Sequence, residues 1–386
     1  MRIAILAQYP VHLLSEARLI GQPSGHFATW LPQLHRAFKQ VPEFDLHWIS
    51  LSAHTSEYQR ISDGNQTFHI LPTAQSKRAA TFFTRDRKRI SEILSDISPS
   101  LVHGWGTEDV YALAAVTSGL PNIVSMQGIL SCYVLCSKMH PRDYFQAIVE
   151  LFVLFRADRI TVESFWGEEV IHRRNPRANI SLVEYGVAED FFEITWRPEQ
   201  NRSVAIFVGS IHPRKGIQDA VAAFSDPRLE HAELWVIGGD EGHWGSTLRG
   251  SAPPNVRWLG RLSARETAEK LSTAWCLVLP TRADTSPNAV KEARVIGLPV
   301  ITTSCGGQSS YVRDGKNGFL TAPGDIGNLV AKLGVLLNDL EKCRTMGAFL
   351  NHEQREIFDP QATANQFASL YRRTLNAPAS SFTPRK

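Results

Sequence analysis

Residues 278–320 read VLPTRADTSPNAVKEARVIGLPVITTSCGGQSSYVRDGKNGFL. The pattern predicts a strand over 276–280, an acidic loop, a helix over 287–296, a strand over 299–303 and a glycine-rich loop at Gly306-Gly307. Ser286 is a good N-cap and Pro287 a good first helical residue, so the helix is expected to start there. One acid, Asp284, precedes the helix, and a second, Glu292, lies inside it. Asn288 and Glu292 are four residues apart and share a helix face. This is the layout of a pocket at the carboxyl edge of a parallel sheet. The free N–H groups of the helix there favour anionic or hydroxyl-rich ligands. A carboxylate accepts hydrogen bonds from vicinal sugar hydroxyls in pairs. Glu292 is thus placed to meet a ribose beside the helix, and Asp284 another part of the same ligand.

Outward from this segment, strands and helices alternate. The first half predicts strands at 2–7, 45–51, 67–71, 100–104, 121–126, 159–163 and 180–185. Helices fall between them at about 25–40, 85–96, 108–118, 143–157 and 165–174. The second half predicts strands at 203–209, 233–238, 255–259, 276–280, 299–303 and 317–320. Its helices are 217–225, 264–274, 287–296, a short one near 309–313, and 325–338, with a last helix at 361–375. Strands separated by helices imply parallel sheets covered on both faces, hence an α/β fold.

The chain of 386 residues is long enough for two domains, each with its own core. A net charge of +3 leaves no strong nucleic-acid footprint. The five cysteines are odd in number and follow no signal-like segment, so reduced thiols and a cytoplasmic location are expected. Cys132 and Cys136 lack a second Cys/His pair at zinc spacing. The longest apolar run, 147–155, contains Glu150 and falls short of a membrane span.

A second motif, Phe207-Val208-Gly209-Ser210-Ile211-His212-Pro213-Arg214-Lys215-Gly216, follows the strand at 203–209. Glycine at a strand end lets the backbone approach a phosphate, and the lysine supplies a point charge. In the first half, Pro23-Ser24-Gly25-His26 places small residues before a helix, another arrangement that suits phosphate. At the strand end 104–108, Thr107 or Glu108 is a candidate to face a cleft, while His103 reads either as a site residue or as a satisfied core histidine.

The segment 278–320 resembles the donor-binding region of family 4 glycosyltransferases. Their pattern E-x7-E is similar to Asp284-x7-Glu292, their G-x-P-V-I to Gly297-Leu298-Pro299-Val300-Ile301, and their Gly-Gly loop to Gly306-Gly307. Residues 209–216 resemble the family's G-R-x-x-x-x-K-G, with Ser210 in place of the arginine. The resemblance implies a GT-B fold, two Rossmann-like domains with parallel sheets facing across a cleft. The expected division is an acceptor domain at 1–188, a hinge at 189–202 and a donor-binding domain at 203–360. A helix at 361–376 would pack back on the first domain, and a flexible tail at 377–386 would follow.

By the same resemblance, Lys215 binds the donor diphosphate, with Arg214, Ser210, Gly209 and Gly25 around it. Asp284, Thr285, Ser286, Pro287 and Asn288 hold the donor sugar, and Glu292 binds the ribose. Gln127 stands where many members carry a histidine near the reacting sugar; glutamine cannot shuttle a proton near neutral pH. Lys215, Asp284 and Gln127 are the expected catalytic set. Tyr185 and Gly186 are read as cleft lining.

The implied activity is retaining transfer of a sugar from a nucleoside-diphosphate donor to a hydroxyl acceptor, in surface polysaccharide or glycolipid assembly. It needs no metal and no cofactor beyond the nucleotide sugar as co-substrate; no D-x-D triplet occurs in the sequence. A saccharide or lipid-linked acceptor is the expected partner. The basic stretch 77–89, with Phe82 and Phe83 inside it, suits either an anionic membrane surface or a solvated helix. The joint departures at Ser210, Gln127 and Asp284 leave open a non-catalytic nucleotide-sugar binder. An epimerase or phosphorylase on the same architecture also stays open.

Overall fold

The computed structural model describes residues 1–20, 29–74, 78–136, 141–240 and 244–376. The predicted phosphate loop around Gly25 and the tail 377–386 lie outside the described residues. The chain divides into two compact units: Met1–Gly186 with Pro360–Lys386, and Val187–Asp359.

The first unit contains, in chain order, β1 (Arg2–Leu6), α1 (Trp30–Phe38), β2 (Asp45–Ser52), β3 (Gln59–Asp63), β4 (Gln66–Pro72), α2 (Thr84–Ile97), β5 (Leu101–Trp105), α3 (Val110–Val116), β6 (Asn122–Ser125), α4 (Leu130–Cys136), α5 (Pro141–Arg156), β7 (Arg159–Val162), α6 (Phe165–Arg174) and β8 (Ile180–Leu182). The sheet order is β3-β4-β2-β1-β5-β6-β7-β8. β1 shows why the strands are apolar throughout. Ile3 and Ile5 join the core on one face and Ala4 and Leu6 the core on the other, and all four are buried. A parallel strand with helices on both sides has no face left for polar residues.

One departure from the expected all-parallel sheet is β3, which pairs antiparallel to β4 at the edge. Asp63 pairs with Gln66 across a two-residue turn of Gly64 and Asn65, with Gly64 at φ +64°. Such tight hairpin turns require a positive φ, which glycine adopts without strain.

The second unit contains α7 (Asp190–Glu193), β9 (Val204–Val208), α8 (Ile217–Ala223), β10 (Glu233–Ile237), α9 (Trp244–Ser251), β11 (Val256–Gly260), α10 (Ala264–Thr273), β12 (Cys276–Leu279), α11 (Asn288–Ile296), β13 (Val300–Thr303), β14 (Gly318–Thr321), α12 (Ile326–Leu337), α13 (Leu340–Ala348) and α14 (Asn351–Ile357). Its sheet is parallel, in the order β11-β10-β9-β12-β13-β14. Numbered within the unit this is the doubly wound order 3-2-1-4-5-6, in which the direction of strand addition reverses between β9 and β12. Ligands in such sheets bind outside the carboxyl ends of the strands at this reversal. Residues 189–202, read from the sequence as a hinge, open with α7, whose Phe191 is buried in this unit's core.

The last helix, α15 (Pro360–Leu375), belongs to the first unit. Its Phe367 and Tyr371 lie in that core. Tyr371 Oη sits 2.8 Å from His103 Nδ1, and Ser125 Oγ lies 2.7 Å from Nε2. Burial lowers the His103 pKa to about 3, so the ring is neutral. His103 is therefore a satisfied core histidine. Tyr185, expected to line a cleft, is also a core residue. It is buried against Trp30 and Trp105, and its hydroxyl donates to Met126 O at 3.3 Å. Its large ring is better accommodated under α15 than in water.

Candidate functional site

Three loops converge at the carboxyl ends of the adjacent strands β9, β12 and β13. The first is 209–216. Gly209 N–H donates to Ile237 O at 3.0 Å, and Gly238, φ +154°, approaches so closely that a Cβ there would fall 1.8 Å from Gly209 O. The sequence reading missed Gly238. The turn that follows is capped by His212, whose Nδ1 accepts from Arg214 N–H at 3.1 Å.

Gly216 closes this turn at φ +72°, and a Cβ would lie 1.9 Å from Pro280 O. No other residue fits there. The close approach lets Arg214 O accept from Arg282 N–H at 2.7 Å and from Thr281 Oγ1 at 3.0 Å, joining the first loop to the second.

The second loop carries Asp284, which is buried. Its Oδ2 accepts from Lys215 Nζ and lies 3.8 Å from Arg214 Nη1. Arg214 Nη1 also donates to Ala283 O at 2.8 Å. Two residues expected to touch different parts of one ligand are thus partnered with each other. A charge-assisted bond holds the lysine at the strand end and leaves it partly exposed.

The third loop supports the second. Gly307 N–H donates to Asp284 O at 2.9 Å, and Gly306, φ +97°, leaves no room for a Cβ, which would fall 2.5 Å from that same oxygen.

The helix after Asp284 begins one residue later than expected. Pro287, at φ −72° and ψ 117°, occupies the N-cap position, and α11 runs from Asn288. Ser286 does not cap it; its hydroxyl is 2.7 Å from Tyr311 Oη. Thr285 and Pro287 are buried. Along α11 only Asn288 and Glu292 keep exposed surface. The helix's other charged side chains turn inward. Lys291 Nζ lies 5.7 Å from the ring centres of Tyr311 and Phe358. Arg294 donates to Gln354 Oε1 at 2.7 Å and to the carbonyls of Leu298, Gly347 and Phe349. Burial raises the Glu292 pKa to about 7, against the opposing pull of Lys291. Partly exposed polar residues at this edge include Ser210, His212, Arg214, Lys215, Arg282, Ser286, Asn288 and Glu292.

The first unit carries a separate cluster at the carboxyl ends of β5 and β6. Thr107 turns inward, its hydroxyl donating to the buried Glu150 Oε2 at 2.8 Å. Glu150 also accepts from the N–H groups of Leu130 and Ser131 at the start of α4. Glu108 and Gln127 lie over one face of Gly106, where a Cβ would sit 2.5 Å from Glu108 Oε2 and 3.0 Å from Gln127 Oε1. Gly128 gives the same carboxyl room on its other side, with Oε1 2.7 Å from an added Cβ. Burial raises the Glu108 pKa to about 7, the nearby Glu150 adding to it. Oε2 is buried and has no hydrogen-bond partner among the described residues. The sequence singled out Glu108 by its place at a strand end; its proton affinity comes from packing.

Residues 202–339 match the family model described as "Glycosyl transferases group 1". Glycogen synthase of Mycobacterium tuberculosis is 26% identical over 231 residues, 58% of this chain and 56% of that protein. The match thus spans about half the length of that relative. Sucrose-phosphate synthase from Thermosynechococcus elongatus superposes with TM-score 0.78 at 19% identity, covering 96% of this chain and 98% of that one. Anabaena HepE in complex with UDP-glucose superposes with TM-score 0.71 at 16% identity, covering 97% and 100%. The motifs that hold the three loops together lie inside the matched region, which is similar to the group 1 glycosyltransferases, and the chain has the GT-B fold.

Proposed function

We propose that this glycosyltransferase, of family 4 type, moves a hexose from a nucleoside-diphosphate donor to a hydroxyl acceptor. Transfer proceeds with retention at the anomeric carbon and without a metal ion. The observation that carries the reading is the Lys215–Asp284 pair, which fixes a cation at the strand reversal, with Arg214 beside it. Negative charge builds on the leaving diphosphate in the transition state, and a pre-positioned cation stabilises it there more than in the ground state. Asp284 acts as a positioning residue for Lys215 as well as a wall for the donor sugar, together with Thr285 to Asn288. Glu292, on the exposed face of α11, receives the ribose hydroxyls. Gly209 and Ser210 approach the diphosphate through the backbone.

In the first unit Gln127 orients a hydroxyl, and the leaving phosphate oxygen takes the acceptor proton. The acceptor is a saccharide or a lipid-linked saccharide of surface polysaccharide or glycolipid assembly, reached from the cytoplasmic side. HepE was solved with UDP-glucose, so UDP is the natural first probe. Thermal shift across a panel of nucleotide sugars selects the donor, and mass analysis of products then tests transfer. Donor binding without transfer to any acceptor, or products formed from donor alone or with phosphate, would overturn the reading.

A further inference from the structure

Helix α5 buries Gln146, Ala147, Val149, Glu150, Val153 and Leu154 on one side. On the other side Tyr144, Ile148, Leu151, Phe152 and Phe155 are exposed, Ile148 at 67% and Phe155 at 49%. The spacing i, i+4, i+7, i+8, i+11 puts all five on an arc of about 100° and a length of about 17 Å. A helix on the surface of a globular protein presents polar residues on this arc. Here the exposed charged residues of α5 are Arg142 in its first turn and Arg156 at its end, with Asp143 partly exposed beside Arg142.

The neighbouring segment continues the surface. Phe82, 55% exposed, meets Phe145 of α5 edge-on at 4.9 Å. Phe82 and Phe83 are consecutive left-handed residues, φ +50° and +54°, and Phe83 is buried. The structure sorts the basic stretch read from the sequence. Arg78 is held by Asp86 and Asp109, and Arg89 donates to Pro72 O. Arg85 and Lys88 are exposed, and Lys77 lies outside the described residues.

We propose that the outer face of α5, with Phe82, docks on an anionic lipid bilayer at the headgroup boundary. The apolar arc supplies the buried area and Arg85, Lys88, Arg142 and Arg156 meet the headgroups. A second copy of the chain is a poorer occupant on charge. A two-fold pairing of α5 with itself sets Arg142 against Arg156 when antiparallel, and each arginine against its own copy when parallel. Among the described residues no helix is long and apolar enough to cross a membrane, so the contact is interfacial. The proposal stands independently of the sugar-transfer reading.

The test is co-sedimentation of the full chain with vesicles of phosphatidylcholine alone or with about a quarter phosphatidylglycerol. Pelleting with the anionic vesicles is expected. Ile148→Glu, and separately the double variant Ile148→Ser with Phe152→Ser, should lower the partition about tenfold or more. Melting temperature should be unchanged in Ile148→Glu, whose side chain is 67% exposed, and should fall slightly in the double variant, since Phe152 is partly covered and packs against Arg156. Removing Arg85 or Lys88 should lower it about fivefold each, the fold-change for one cation near an anionic surface. The proposal is overturned if no pelleting occurs at about 1 mM lipid. Equal binding to both vesicle types also overturns it, as does a concentration-dependent dimer that Ile148→Glu dissociates.

Discussion

Glu292→Gln removes one titrating carboxyl from α11 while keeping its shape. In the folded chain burial lifts this group from 4.5 to about 7, whereas an unfolded glutamate titrates near 4.3. The folded state therefore holds a proton that the unfolded chain releases between those values. The contribution to stability is complete below about pH 4.5 and is lost as pH rises to 7. At about 1.4 kcal/mol per decade the full lift is worth about 3.5 kcal/mol. Glu292 keeps part of its surface in water, which reduces the expected loss to about 1–2 kcal/mol. The amide carries no such slope. The variant should match the native chain near pH 4.5 and exceed it by that amount at pH 8.

Urea unfolding of both proteins from pH 5 to 8 reads the difference and cancels the slope from Glu108. UDP affinity measured on the same samples adds a functional readout. Ribose hydroxyls that donate to the carboxylate favour its ionised form, so affinity should rise from pH 6 to 8 in the native chain. It should be weaker and flat in the variant. Parallel stability curves would refute the buried acid, and an unchanged pH dependence of UDP binding would refute its contact with the ribose.

Lys215→Ala should lower turnover by about 10²–10³, the usual loss for one pre-positioned transition-state contact. Its melting temperature should fall little, because Arg214 remains 3.8 Å from Asp284; full activity in a product assay would refute the assignment. Gly216→Ala should destabilise by about 3 kcal/mol or more in chemical unfolding, since a Cβ 1.9 Å from Pro280 O forces the two loops apart. Glu108→Gln should remove a stability loss between about pH 4.5 and 7 in chemical unfolding while leaving UDP affinity unchanged, as the raised proton affinity of Glu108 implies. Parallel unfolding curves would refute the buried, protonated carboxyl.

Local rules carry far in this chain. Alternating apolar runs and amphipathic segments marked most strands and helices, because periodicity reports burial directly. The shared face of Asn288 and Glu292 was legible because it answers to a helix constraint within a few residues, whereas Gly216, Gly306 and the Asp284–Glu292 spacing were marked only by the family pattern. The hairpin at Gly64-Asn65 was equally legible by its turn residues and was missed. Pairings across the sheet were not legible. Lys215 and Asp284 lie 69 residues apart and meet only because β9 and β12 are neighbours. Tyr185 and His103 became core residues because α15, far along the chain, covers them.

The sequence by itself determined the α/β class and the order of most strands and helices. Only the tertiary structure decided which charges face each other, which acids hold protons near neutrality, and that α5 turns an apolar face outward. The physical reason is that backbone preference acts within a few residues. Charge pairing and desolvation depend instead on whatever distant segment the fold brings alongside.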